Sequence, residues 1–149
     1  MKTDKGFLWI VGIITVLLGV MLFVTESGPF SKGSSGKPKA GVVYELTANN
    51  LAAARRNVPV MVALFTSAGD QHGARMTRGL PALAERVKGR AIIAIGDTTE
   101  QPELANRAGL REFPAWVVYR DGEEVSRATG PNADLSLDRF IEEQTAGLP

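Results

Sequence analysis

The chain has 149 residues, 44% of them hydrophobic, which is enough for one folded domain of about 100 residues and an appendage. It contains no cysteine, so these residues supply no disulfide, thiolate metal ligand or thiol nucleophile. The net charge of +1 comes from 17 basic and 16 acidic side chains, and no basic cluster indicates a nucleic-acid-binding surface.

An uncharged apolar stretch of 18 residues, from Phe7 to Val24, lies near the amino terminus. At about 1.5 Å per residue, a helix of this length is roughly 27 Å long and just spans a bilayer. We therefore predict a transmembrane helix at residues 7–24, preceded by a short tail at residues 1–6. A cleaved signal peptide is the alternative, but its apolar region is usually about 7 to 15 residues long.

Lysines lie on both sides of this stretch, so the positive-inside rule gives almost no orientation. We adopt the ordinary signal-anchor arrangement, in which the tail is cytoplasmic and the soluble domain lies on the exported, periplasmic or extracytoplasmic side. Within the stretch, Gly12, Thr15 and Gly19 share one helix face, where small side chains let another transmembrane helix pack closely. The alternative is that glycine is simply common in such helices.

Residues 25–41 are rich in Gly, Ser, Pro and Lys and are predicted to form a flexible linker. Residues 42–149 form the predicted domain, in which strand and helix patterns alternate. Pro81 is expected to kink or divide the second helix. Strands are predicted at 42–46, 58–65, 91–95, 115–119 and 123–128, and helices at 47–56, around 76–87, at 103–108 and at 135–144.

The order of these elements is typical of an α/β domain that ends in an antiparallel hairpin. Two stretches carry a closer resemblance: the strand that ends at Phe65, with a turn after it, and the segment from Ala108 to Glu123, in which Pro114 precedes the hairpin. The proline segment is the specific part, whereas the rest is shared by many α/β domains. On these residues, positions 42–145 resemble the thioredoxin-like superfamily. The resemblance implies a central mixed sheet flanked by helices and a cis peptide bond before Pro114.

Enzymes of this superfamily carry two cysteines in the turn between the central strand and the next helix, where the helix N-terminus lowers the pKa of the first thiol. Aligned without a gap from Phe65, the pair falls on Asp70 and Gly73. A shift of one residue places it on Gln71 and Ala74, with the same consequence. We therefore expect disulfide exchange to be lost.

Two other positions also differ from the superfamily's pattern. Gly69 stands where a tryptophan usually precedes the cysteine pair, and Leu64 stands where a buried acid is usual. Asp70 is predicted to cap the following helix, a contribution of about 1 kcal/mol. The alternative is an acid–base or metal site of Asp70 and His72, but two ligands without a third are a weak signal and no metal is predicted. The degenerate redox turn, as we name it, comprises Gly69, Asp70, Gln71, His72 and Gly73.

The segment around Pro114 is a second candidate site. In relatives, the loop with the cis-proline presents backbone groups to an extended polypeptide beside the redox turn. The alternatives are that the proline is kept because the fold requires its bend, and that Trp116 belongs to the core. If the groove is retained, the candidate partner-binding residues are Phe113, Pro114, Ala115 and Trp116.

Together these features favour a catalytically inactive, membrane-anchored interaction module that serves as an accessory or assembly subunit of a membrane protein complex. The expected partners are the lipid bilayer and other membrane protein subunits; nucleic acid, a cofactor and a small-molecule substrate are not predicted. The alternatives are a non-thiol enzyme and a peptide-binding, chaperone-like adaptor on the same fold.

Overall fold

A computed structural model of the protein describes residues 36–147. The predicted tail at 1–6, the predicted transmembrane helix at 7–24 and most of the predicted linker at 25–41 lie outside these residues. Within the described part, residues 36–43 contain neither helix nor strand. No helix between residues 36 and 147 is long and apolar enough to cross a membrane.

Strands and helices alternate along the described residues. A short 3₁₀ segment, Ala133–Ser136, leads into the last helix. The elements are β1 (Tyr44–Glu45), α1 (Leu51–Arg56), β2 (Val60–Thr66), α2 (Gln71–Arg86), β3 (Ile92–Asp97), α3 (Pro102–Arg107), β4 (Ala115–Arg120), β5 (Glu123–Thr129) and α4 (Leu137–Thr145).

The five strands form one mixed sheet in the order β1-β3-β2-β4-β5. Strands β1, β3 and β2 are parallel, whereas β4 runs antiparallel to β2 and β5 antiparallel to β4. Ala63 lies in the middle of β2 and is aligned with Ala94 in β3 and Val117 in β4. The predicted α/β class and mixed sheet are therefore confirmed, although β1 is shorter than the predicted strand at 42–46.

Strand β2 divides the core into two layers because its side chains point alternately to the two faces of the sheet. Its first six residues are all buried, which explains why this part of the sequence is a continuous apolar run. On one face, Met61, Ala63 and Phe65 pack with Leu51, Ala54 and Leu104 of α1 and α3. On the other, Val60, Val62 and Leu64 pack with Leu80, Leu83, Leu137 and Ile141 of α2 and α4.

Helix α1 begins at Leu51 and not at the predicted Thr47. The backbone N–H of Thr47 donates to Asn50 Oδ1 at 2.7 Å, and the N–H of Asn50 donates to Thr47 Oγ1 at 3.1 Å. These reciprocal bonds hold residues 47–50 in a turn, since short polar side chains compete with helical backbone bonds. Asn50 is the N-cap position of α1, although its side chain bonds within this turn and does not cap the helix.

Pro81 was expected to kink or divide the second helix; the division is wrong, because α2 runs through Pro81 from Gln71 to Arg86. A proline removes one backbone donor from the helical ladder. Leu80, Leu83 and Ala84 on either side of Pro81 are buried against the sheet. Burial of this face stabilises the helix where the local bonding is weakened.

The predicted hairpin around residues 120–122 is confirmed as a tight turn between β4 and β5. Asp121 and Gly122 have φ values of 52° and 87°, the signature of a type I′ turn. A Cβ atom on Gly122 would lie 2.9 Å from Cγ of Arg56, so this position requires glycine for space as well as for conformation.

Two leucine-to-alanine substitutions test this description of the core. Leu104 is fully buried, whereas Leu135 is 80% exposed. We expect Leu104→Ala to lower the free energy of unfolding by about 2–5 kcal/mol, since it leaves a cavity beneath α3. Leu135→Ala is expected to change it by less than about 0.5 kcal/mol. Denaturant unfolding followed by circular dichroism measures both; equal effects would contradict the assigned burial.

Candidate functional site at the degenerate redox turn

The degenerate redox turn lies where β2 ends and α2 begins. The backbone N–H of Asp70 donates to the carbonyl of Ser67 at 3.2 Å, which closes the turn. Gly69 has a φ of 75°, a conformation that costs most other residues energy. A tryptophan would be strained at this φ, so the turn as it stands favours glycine at position 69.

Asp70 is the N-cap of α2, as predicted. Its backbone is extended, with φ −76° and ψ 92°, and its Oδ1 accepts the backbone N–H of Gly73 at 2.9 Å. The carbonyl of Asp70 accepts the first helical bond, from Ala74 at 3.0 Å. The carboxylate therefore stabilises the helix N-terminus through a hydrogen bond and through the helix dipole.

Gly73 is buried directly against this cap. A Cβ atom at this position would lie 2.8 Å from Cγ2 of Thr66 and 2.9 Å from the carboxylate carbon of Asp70, with the second carboxylate oxygen closer still. The Asp70 carboxylate thus occupies the space that a side chain at position 73 would need. The two positions at which the superfamily's enzymes carry cysteines are therefore in direct contact here.

The second carboxylate oxygen of Asp70, Oδ2, is buried and has no hydrogen-bond donor among the described residues. Oδ1 of Asp70 therefore accepts the capping hydrogen bond, whereas Oδ2 is enclosed by the surrounding protein. An enclosed acceptor of this kind is normally accompanied by a donor, because an unsatisfied buried polar atom costs free energy.

His72 is exposed on the first turn of α2 and its Nδ1 lies 2.9 Å from Nη2 of Arg75. Since arginine can only donate, Nδ1 is the acceptor in this hydrogen bond. The hydrogen bond of His72 is thus to Arg75 and not to Asp70. Within residues 36–147, no group of three or more His, Cys, Asp or Glu side chains is placed to hold a metal ion.

The Pro114 segment lies beside the degenerate redox turn. Phe65 at the end of β2 is aligned with Ala115 at the start of β4, so both candidate sites lie at the same end of these two central strands. The peptide bond between Phe113 and Pro114 is cis, as the resemblance implies. The carbonyl of Pro114 accepts the backbone N–H of Gly130 at 2.9 Å.

The four candidate partner-binding residues differ in accessibility. Pro114, Ala115 and Trp116 are buried, whereas Phe113 is half-buried and packs its inner side on the α1–α3 layer of the core. Phe113 is therefore the side chain of this set that a partner can reach. Trp116 is 2% exposed and belongs to the core, which was the alternative to a partner-binding role.

Leu64, at the position of the family's buried acid, is aligned with Trp116 on the neighbouring strand. Both side chains face the α2–α4 layer and both are buried. The indole Nε1 of Trp116 has no hydrogen-bond acceptor among the described residues. This unpartnered donor was missed by the sequence analysis, since the sequence alone does not show what surrounds an indole.

Two titratable groups on the hairpin have shifted pKa values. Burial raises the pKa of Tyr119 to about 12, while the guanidinium of Arg55, 5.7 Å from its ring, acts in the opposite direction. The hydrogen bond to Glu124 raises the pKa of Arg127. Arg127 also donates to the carbonyls of Ala108 and Gly109 at 2.9 and 2.7 Å. It therefore connects β5 to the end of α3.

Comparison with solved structures identifies the fold. A thioredoxin mutant from Halobacterium salinarum NRC-1 superposes with a TM-score of 0.65 at 24% identity, covering 76% of this chain and 100% of that one. The fold is thioredoxin-like. Thioredoxin f from spinach chloroplast, in its short form, gives a TM-score of 0.66 at 19% identity, covering 74% of this chain and 100% of that one.

The sequence comparisons are weaker than the structural ones. Thioredoxin 1 from Nostoc sp. is 23% identical over 60 residues, which is 40% of this chain and 56% of that protein. The chain thus matches about half the length of this curated relative, and no family model matches. Identities of this size show the fold and do not transfer an activity.

The same substitution at two glycines of α2 tests the geometry of the cap. Gly73→Ala places a methyl group against Asp70 and Thr66, so we expect a loss of about 1–3 kcal/mol of unfolding free energy. Gly79→Ala is the matched control, because a Cβ atom there meets nothing within 4 Å. This control is expected to gain about 0.5–1 kcal/mol from helix propensity. Denaturant unfolding measures both, and a neutral or stabilising Gly73→Ala would contradict the close packing.

Coupling between positions 70 and 73 is tested separately. Asp70→Ala removes the cap and is expected to cost about 1 kcal/mol, whereas Asp70→Asn keeps an accepting oxygen and costs less. In the double variant Asp70→Ala/Gly73→Ala, part of the clash is gone because the carboxylate is absent. We therefore expect a loss smaller than the sum of the two single losses. Additive losses in denaturant unfolding would show that the two positions are independent.

Proposed function

We propose that this chain is a non-catalytic, membrane-anchored interaction module, an accessory or assembly subunit of a membrane protein complex. The observation that supports the absence of catalysis is the pairing of Asp70 with Gly73 at the helix N-terminus. Thiol exchange needs a thiolate and a resolving thiol at this turn, and the chain contains no cysteine. The turn instead stabilises the start of α2.

The proposed anchor is the uncharged stretch from Phe7 to Val24, which is long enough to cross a bilayer as a helix. Small residues on one side of that helix, Gly12, Thr15 and Gly19, favour packing against a helix of another subunit. With the tail in the cytoplasm, the domain lies on the periplasmic or extracytoplasmic side.

The proposed contact surface of the domain combines the exposed part of the degenerate redox turn with Phe113. Gly69, Gln71 and His72 are exposed, and Phe113 is half-buried at the same end of the central strands. A partly exposed aromatic side chain beside polar groups is typical of the centre of a protein interface. This surface would meet a folded subunit in an accessory role.

A second candidate is a peptide-binding adaptor, which the position of Phe113 also favours. An extended peptide could lie along the edge between this side chain and the turn, with main-chain hydrogen bonds supplying affinity. The enzymatic alternative has less support, because Asp70 bonds to Gly73 and His72 bonds to Arg75, so the two do not form an acid–base pair.

Purification of the full-length chain from its native membrane in a mild detergent tests the interaction role. We expect it to elute in a complex with a defined partner. Phe113→Asp should reduce partner recovery by about tenfold, the effect expected of a charge placed in an interface centre. Val125→Asp is the matched control, since Val125 is also exposed but lies on β5. A lone monomer would contradict the subunit role, and equal effects of the two variants would contradict the proposed surface.

The contribution of the predicted anchor is measured with Gly12→Leu/Gly19→Leu in the same experiment. We expect the variant to remain in the membrane fraction while the complex becomes smaller, because the packing face is blocked. Unchanged complex size would show that the helix is an anchor alone.

An insulin-reduction assay on the full-length protein is expected to give no turnover above background, and turnover would overturn the non-catalytic proposal.

A further inference from the structure

Exposed cations gather at the end of the sheet where β2 and β3 begin. The segment that precedes β1 crosses this end, since Pro38 and Ala40 line a cavity of about 290 Å³ together with residues 58–60 and 89–92, at the starts of the two strands. Five basic side chains of this region are exposed, and we call them the basic end: Lys37, Lys39, Arg56, Lys88 and Arg90. They are scattered between positions 37 and 90, so the fold brings them together and no charged run in the sequence does.

Contacts between the surrounding segments place these cations at one end of the molecule. A Cβ atom on Gly122 would lie 2.9 Å from Cγ of Arg56, so Arg56 lies against the hairpin turn. A Cβ atom on Gly41 would lie 3.1 Å from Cδ of Lys88, so Lys88 lies against the segment before β1. Lys37 belongs to the same segment and lines a groove with the last residues of α1. The basic end is therefore one surface.

Acidic side chains neutralise little of this charge. Among the described residues, Lys88 is the one cation of the five with a carboxylate within 4 Å, that of Glu85 at 3.5 Å. Asp121 and Glu123 also lie at this end, on the hairpin between β4 and β5, and Asp121 is 4.0 Å from Arg120. The side of the basic end formed by the starts of β2 and β3 is thus positively charged.

The opposite end of the central strands has the other sign. Asp97, the last residue of β3, is aligned with Thr66 at the end of β2. Four acidic side chains are exposed around this end, against the cations of Arg75, Arg107 and Arg111: Asp97, Glu100, Glu103 and Glu112. A negatively charged surface would attract one end of the domain and repel the other, because the charges are separated along the strands.

The path of the chain decides which surface the basic end meets. Residues 25–35 separate it from the proposed transmembrane helix, and a random coil of that length spans about 18 Å. Strand β2 has 7 residues, so the two ends of the domain are more than about 23 Å apart. The bilayer is therefore the large surface that this attachment keeps close to the basic end.

From the charge separation and the point of attachment, we infer that the basic end docks on anionic phospholipid headgroups of the bilayer that anchors the chain. The inference rests on the anchor of the proposed function. Each Lys or Arg near an anionic lipid surface strengthens binding by about fivefold. The degenerate redox turn and Phe113 then face away from the bilayer, where a partner can reach them.

A single fluorescent label tests the orientation, because the chain contains no other cysteine. The donor dye is attached to Asn57→Cys, beside the basic end, or to Thr99→Cys, at the opposite end; both positions are exposed. Each full-length variant is reconstituted into lipid discs whose headgroups carry an acceptor dye. Anionic discs contain phosphatidylglycerol and phosphatidylcholine, and neutral discs contain phosphatidylcholine alone.

We expect energy transfer from position 57 to be higher in anionic than in neutral discs, and transfer from position 99 to be lower. In about 1 M salt the difference is expected to disappear, because the Debye length falls to about 3 Å.

Charge-reversal variants locate the contact. Lys37→Glu/Arg90→Glu is expected to lower transfer from position 57 in anionic discs to its value in neutral discs. Arg78→Glu/Arg111→Glu is the matched control, since it changes the net charge equally at two exposed positions outside the basic end, and it should preserve the difference. An unchanged circular dichroism spectrum verifies that both variants are folded.

Three results would overturn the inference. Equal transfer in the two kinds of disc would show that anionic lipid does not orient the domain. Equal effects of the two double variants would show that total charge acts and not the basic end. A difference that survives high salt would show that the contact is apolar.

The anchor is judged separately from the docking surface. A chain that stays in the discs through a carbonate wash but shows no preference for anionic lipid would refute the docking surface alone. A chain that washes off would refute the anchor, and it is then sedimented with vesicles of the same two compositions. We expect it to bind anionic vesicles, with Lys37→Glu/Arg90→Glu weakening binding by about 25-fold or more. Equal binding to both vesicles would overturn the inference as well.

Discussion

The burial of β2 on both faces is the constraint on which the rest of the structure depends. This strand pairs with β3 on one side and β4 on the other, and each of its faces carries a pair of helices. Two neighbouring strands and two helix layers fix the position of β2. The backbone that leaves β2 after Thr66 therefore enters the next turn at a defined point. The degenerate redox turn and the Pro114 segment meet there for that reason.

At this junction, the hydrogen bond between Gly73 and Asp70 lies at the two positions where thioredoxin-like enzymes carry their cysteines. A thiolate and a capping carboxylate use the same feature, the positive end of a helix dipole with its free N–H groups. Asp70 satisfies one of those groups and takes up the space beside Gly73. The geometry of a thioredoxin-like turn is thus compatible with a stabilising cap at these positions.

Local pattern predicted the sheet, the hairpin, the Asp70 cap and the cis bond at Pro114, since each depends on residues close in sequence or on the resemblance. It failed where distant residues decide. The continuity of α2 through Pro81 depends on burial against the sheet. The start of α1 was missed for a local reason, because reciprocal hydrogen bonds between Thr47 and Asn50 hold a turn there. A cavity between α2 and the segment from Pro131 to Asp138 was not predicted either, because its walls lie far apart in the chain, at Gly79 and Asp134.

The outer strand of the hairpin has a further consequence. Strand β5 is an edge of the sheet and carries the exposed side chains of Glu123, Glu124 and Arg127. Arg127 is held by Glu124 at 2.8 Å and by two carbonyls at the end of α3. Charged side chains on an edge oppose the addition of another strand. Many copies of the domain crowded at one surface would therefore resist edge-to-edge aggregation.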